Sequence, residues 1–101
     1  MPAHIAIDRD LLAGFCRRHR VRRLSLFGSV LRDDFRSDSD VDVLVEFDAD
    51  HVPGFLALHA MSEELSRLLD GRRVDLVTEK ALSARIRERV LASSEVAYEE
   101  G

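Results

Sequence analysis

The sequence contains one cysteine, two prolines, five glycines, one tyrosine and no tryptophan among its 101 residues. A lone Cys16 cannot close an internal disulfide, so a reducing compartment, the cytoplasm, is expected. The two prolines, Pro2 and Pro53, build no Pro-rich linker, and no repeat or low-complexity tract divides the chain. Residues 1–101 are therefore expected to form a single domain. No purely apolar run exceeds four residues, against the roughly 20 that a membrane-spanning helix requires. The opening MPAHIAIDRD carries early acids and no apolar core, so a secretory signal is not expected. Basic residues are outnumbered, 15 to 19, for a net charge of −4 and a pI near 5.5. That balance excludes a protein that coats DNA by charge, and no stable DNA binding is expected.

What remains is well suited to fold: 46% of residues are apolar and 34% charged. From Asp8 or Asp10 to His19, the residues Leu11, Leu12, Phe15 and Cys16 recur at three and four, an amphipathic helix with acids in its first turn. Leu24-Ser25-Leu26-Phe27 reads as a short strand running into a Gly28-Ser29 turn. Ser29 is then expected to cap a short helix over Val30–Phe35. Asp40–Phe47 alternates as a second strand, with Val41, Val43, Val45 and Phe47 on one face and Asp40, Asp42, Leu44 and Glu46 on the other. Phe55–Leu69 is the longest predicted helix, with its stripe at Leu58, Met61, Leu65, Leu68 and Leu69 and a stop at Asp70-Gly71. Arg73–Thr78 is a third strand. Leu82, Ile86 and Val90 mark a last helix, with a short strand possible at Glu95–Tyr98. The whole is a small α/β (α+β) layer fold with helices flanking a sheet.

Asp40 and Asp42, two apart on one strand, send both carboxylates from the same face. Asp75 sits in another predicted strand. If the two strands are neighbours, three carboxylates converge and repel one another. A divalent cation removes that conflict, and Mg2+ is commonly held by one or two carboxylates with waters and substrate phosphates. Gly28-Ser29 supplies a complementary half, because a glycine admits close approach of a phosphate and a hydroxyl adds a donor. Gly-Ser, ten intervening residues (Val30–Ser39) and then Asp-x-Asp arises by chance in about one chain of this length in a thousand. A phosphate cradle beside a metal-binding strand points to phosphoryl or nucleotidyl transfer.

The stretch LFGSVLRDDFRSDSDVDVLVEF resembles the signature of the minimal nucleotidyltransferases (MNT) of the DNA polymerase β superfamily, and the resemblance extends over nearly the whole chain. It implies a polymerase β-like fold on a small mixed sheet. It also implies nucleotide phosphates at Gly28 and Ser29, Mg2+ at Asp40 and Asp42, and Asp75 as a third metal-site carboxylate and base for the attacking hydroxyl. At Leu31-Arg32-Asp33 the chain departs from the Ala-Arg-Gly of many members. Proteins of this kind resemble antitoxins of two-gene systems that transfer AMP from ATP to a tyrosine of a HEPN ribonuclease toxin. A chain of 101 residues leaves no room for the template-holding domains of a polymerase, which favours a partner protein as acceptor. Two alternatives stay open: an antitoxin that neutralises by binding alone, and a transferase acting on RNA or a small molecule.

The remaining features are plainer. Five arginines between Arg17 and Arg23 suit a helix C-terminus, or a contact with triphosphate, RNA or an acidic partner. His4, His19, His51 and His59 show no metal-ligand spacing. Cys16 reads as a small core residue. Phe55 and Leu56 fall outside the apolar stripe of their helix and mark either extra core or a partner surface.

Overall fold

Helix α1 covers Arg9–Arg18 because Asp8 caps it: the Asp8 carboxylate accepts from the backbone N–H of Asp10 and Leu11 at 3.0 and 3.1 Å. The computed structural model describes residues 5, 7–32, 36, 39–48, 50 and 53–100. Four strands follow, β1 at Val21–Phe27, β2 at Val41–Phe47, β3 at Val74–Thr78 and β4 at Glu95–Glu99, with α2 at Phe55–Leu68 and α3 at Ala84–Ser93. Two 3-10 turns, Gly28–Leu31 and Glu79–Ala81, complete the described elements.

Most of the sequence reading holds, including the strand near the C-terminus. Strand β1, however, starts three residues before the predicted Leu24. Arg20 takes a left-handed φ of 59° and turns the chain straight from α1 into the sheet. Arg22 and Arg23 hid this start, because two adjacent cations look like a solvated link. Arg23 lies opposite Glu46 in the ladder and grips its carboxylate with Nε at 2.5 Å and Nη2 at 2.8 Å. The helix expected over Val30–Phe35 is replaced by the four-residue 3-10 turn; residues 33–35 lie outside the described set. Ser29 therefore lies inside this turn rather than at its N-cap, which is Phe27, and no side-chain hydrogen bond caps the turn. Strand β2 begins at Val41, leaving Asp40 just before it.

The sheet order is β3-β2-β1-β4, with β2 and β3 parallel and the other pairs antiparallel. Helix α2 is the crossover of a β2-α2-β3 unit, the connection that parallel neighbours require. One face of the sheet carries the core. Leu12, Phe15 and Cys16 from α1 meet Met61 and Leu65 from α2, its capping Leu69, and Val41, Val43 and Val45 from β2. Burying each large side chain of this set contributes about 1.5–3 kcal/mol. Leu11, counted in the α1 stripe from sequence, points instead to solvent. On the other face of β2, Leu44 is fully buried while Asp42 and Glu46 on either side are half-buried. A polar end therefore opens on that face at the start of β2.

Candidate active site

Three local features build this polar end. The chain leaves β1 at Phe27, which pairs with Asp42 across the antiparallel ladder. Gly28 then turns with φ +77°, a conformation that favours glycine. Its backbone lies against the Asp42 side chain so closely that an added Cβ would overlap the carboxylate. Ser29 donates its hydroxyl hydrogen to the Asp40 carbonyl at 3.3 Å, tying the turn to the residue that opens β2. On the other side, the parallel register sets Asp42 beside Asp75. The strand period of two places both on the face opposite the valine core.

Asp42 is the electrostatic centre. Its carboxyl is held above the ordinary carboxylate range, first by burial, then by the negative charges of Asp75 and Asp40, with Arg32 opposing. Asp75 and Asp40 are exposed. Arg73 reaches Asp40 only loosely, at 3.7 Å, and such exposed pairs are worth about 0–1 kcal/mol. Among the described residues no three His, Cys, Asp or Glu side chains form a ready-made metal cage. Mg2+ does not need one, since it keeps several waters and takes substrate phosphates as ligands beside one or two carboxylates. The donor set fits this ion: hard oxygens only, gathered where negative charge is already in excess.

The structure brings the five sequence-predicted site residues, Gly28, Ser29, Asp40, Asp42 and Asp75, to one end of the sheet. Two of them stand in a different local setting from the one expected: Ser29 lies within a 3-10 turn instead of capping a helix, and Asp40 precedes its strand. Sequence reasoning did not foresee the ion pair of Arg73 with Asp40, because only the β2–β3 register makes them neighbours. The arginine cluster does not join the site. Arg17 and Arg18 end α1, Arg20 and Arg22 flank the first residue of β1, and Gly28 follows the far end of that strand, roughly 20 Å from its start by strand rise. Arg18 is committed to Glu64 at 2.6 Å.

The family model for the nucleotidyltransferase domain matches residues 9–96. The chain belongs to that family. It is a nucleotidyltransferase, and the polar sheet end just described lies within the matched region. A protein adenylyltransferase, MntA, of Thermococcus cleftensis is 42% identical over 81 residues, 80% of this chain and 77% of the relative. Two solved structures share the fold. A toxin–antitoxin complex with AMP-PNP has a TM-score of 0.75 at 22% identity, over 93% of this chain and 75% of that one. A Shewanella oneidensis complex of a tri-AMPylated HEPN toxin with its MNT antitoxin has a TM-score of 0.62 at 23% identity, over 91% and 70%. Among the described residues no helix is long and apolar enough to cross a membrane.

Proposed function

We propose that this nucleotidyltransferase is the antitoxin of a two-gene pair, moving AMP from ATP to a tyrosine hydroxyl of a HEPN-type toxin in the cytoplasm. The observation that carries the reading is the Asp42–Asp75 pair on adjacent parallel strands, with Asp42 against the Gly28 turn. The adenylyltransferase relative and the two complexes, with AMP-PNP and with an AMPylated toxin, support ATP and a toxin as its substrates. Residues 1–101 act as one nucleotidyltransferase domain.

In the reaction the acceptor oxygen attacks the α-phosphorus of ATP, the bond from that phosphorus to the bridging oxygen breaks, and pyrophosphate leaves. Asp75, exposed and beside Asp42, takes the proton of the acceptor hydroxyl. Backbone N–H groups of the Gly28–Leu31 turn hold the outer phosphates, and the Ser29 hydroxyl joins them by exchanging its bond to the Asp40 carbonyl for one to a phosphate oxygen. A four-residue turn has little macrodipole, so these donors act singly. Asp40 and Asp42, with Asp75, would hold Mg2+, which would supply positive charge against the triphosphate and the developing negative charge. The geometry of Gly28 keeps the Asp42 carboxylate beside the turn, where phosphate and metal ligands must meet.

The test uses purified protein, labelled ATP, Mg2+ and the product of the adjacent reading frame. The parent chain labels that partner and adds mass to it, whereas Asp42→Asn labels it at least 100-fold more slowly. If Asp42→Asn labels as fast as the parent, the assignment is wrong. If Asp40→Asn/Asp42→Asn silences the toxin fully with no gain in mass, neutralisation is by binding alone.

A further inference from the structure

Asp75 has a second setting beyond its place next to Asp42. It lines a groove of about 360 Å³ that runs along β3 between α2 and the Glu79–Ala81 turn, walled by Phe55, Leu58, His59, Val77 and Thr78. Both faces of β3 contribute to it, so the groove wraps over the outer side of that strand, an edge of the sheet. Phe55 in its wall and Leu56, the next residue of α2, are 82% and 81% exposed, the two most exposed large apolar residues described. They open α2 and lie outside its buried stripe, so core packing does not account for them.

We propose that this groove seats the acceptor polypeptide and presents its hydroxyl to Asp75, an inference that rests on the adenylyl-transfer reading. Four observations favour a protein occupant. The groove is continuous with the candidate site through Asp75. A sheet edge offers unpaired main-chain groups that an extended segment can bond, while flanking pockets take its side chains. Its walls are mixed apolar and polar, as in sites for aromatic side chains. No Lys or Arg is among the described lining residues, and the one basic group, His59, is paired with Glu63 at 2.7 Å. A groove for an RNA strand would need cations along its phosphates, and no Lys or Arg stands among these described lining residues. Phe55 and Leu56 are positioning residues, which anchor the acceptor and leave the chemistry to the acids.

The experiment compares the parent chain, Phe55→Asp/Leu56→Asp and, as a control for loss of an exposed apolar group elsewhere, Leu11→Asp. Each is measured for affinity toward the protein from the adjacent reading frame by calorimetry, for kcat and KM of its labelling, and for oligomeric state by light scattering. The groove variant raises Kd and KM for that protein at least tenfold with kcat within about twofold, and Leu11→Asp changes neither. Both variants keep the parent's melting temperature within a few degrees, since the side chains replaced are exposed. Unchanged Kd and KM in the groove variant overturn the proposal. So does a parent dimer that the groove variant dissociates, which would make the groove a contact between copies. If the parent binds the partner but never labels it, the adenylyl-transfer reading fails, while the Kd comparison still decides whether this groove is where the partner sits.

Discussion

Gly28 lies directly against the side chain of Asp42, so that a methyl group built on it would overlap the carboxylate and stand 3.1 Å from the carboxyl carbon. One residue thus serves two needs: a left-handed φ of +77° and room for an acid. The turn and the strand cannot be varied independently.

Gly28→Ala is therefore expected to hurt twice. The left-handed backbone costs a residue with a Cβ about 1–2 kcal/mol, and the overlap forces Asp42 off its rotamer at about another 1 kcal/mol. Urea unfolding should register a loss of roughly 2–3 kcal/mol, and adenylyl transfer should fall at least tenfold at saturating ATP. A Gly28→Ala protein with the parent's stability and rate would remove Gly28 from the site.

Asp42 carries a stability cost at neutral pH. Its folded carboxyl titrates above the ordinary range through burial and the neighbouring Asp75 and Asp40 charges, so its ionised form is disfavoured on folding. Asp42→Asn should make the metal-free protein more stable at pH 7 by about 0.5 kcal/mol, on the order of 2–4 °C in melting temperature. The sign of the pH effect is fixed. As the pH falls into the carboxylate range, the parent protonates Asp42, the penalty disappears, and the two melting curves converge. Thermal melts in EDTA across that range measure this, and a variant less stable than the parent at pH 7 would contradict it.

Glu64 behaves in the opposite sense. Partial burial works to raise its carboxyl, but the His19 and Arg18 hydrogen bonds, at 2.9 and 2.6 Å, outweigh burial and hold it below the ordinary value. A depressed carboxylate lends stability above its unfolded pKa and loses it as pH falls through the folded value. Glu64→Gln should cost about 0.5–1 kcal/mol at pH 7 in chemical denaturation, and the gap should close below the ordinary value of 4.5. A gap that widens in acid would show that the α1–α2 ion pairs do not act this way.

Cys16 is fully buried, and burial pushes its thiol up to about 12. The thiolate is the reactive form, so iodoacetamide at pH 8 should label native protein only as fast as it unfolds, and the urea-unfolded chain at once. Rapid alkylation of the folded protein would contradict the burial of Cys16 on the core face of α1.

Much of the site is legible along the chain. Gly28-Ser29 and Asp40-x-Asp42 are close in sequence, and the valine alternation of β2 forces its acids onto the non-core face. Ser29 and the start of β2 differ from expectation by small shifts of boundary, because a 3-10 turn and a short helix look alike over four residues. The start of β1 escaped because Arg22 and Arg23 resemble loop residues until Glu46 is seen opposite. The α2–β3 groove was only hinted at, by Phe55 and Leu56 falling outside the helical stripe.

Residue order alone sufficed for most of the alternation of helices and strands, the buried face of β2 and most of that of α2, and a signature that names the chemistry, since each depends on neighbours within about a turn or a strand length; Leu11 and Ile86, counted in helical stripes, are exposed. The meeting of Asp75 with Asp42 did not follow from it. That contact needs β3 to cross over α2, lie parallel to β2 and adopt one register; a slip of one residue would turn Asp75 toward the core. Hydrogen bonds between segments some thirty residues apart make that choice, and no local pattern contains them.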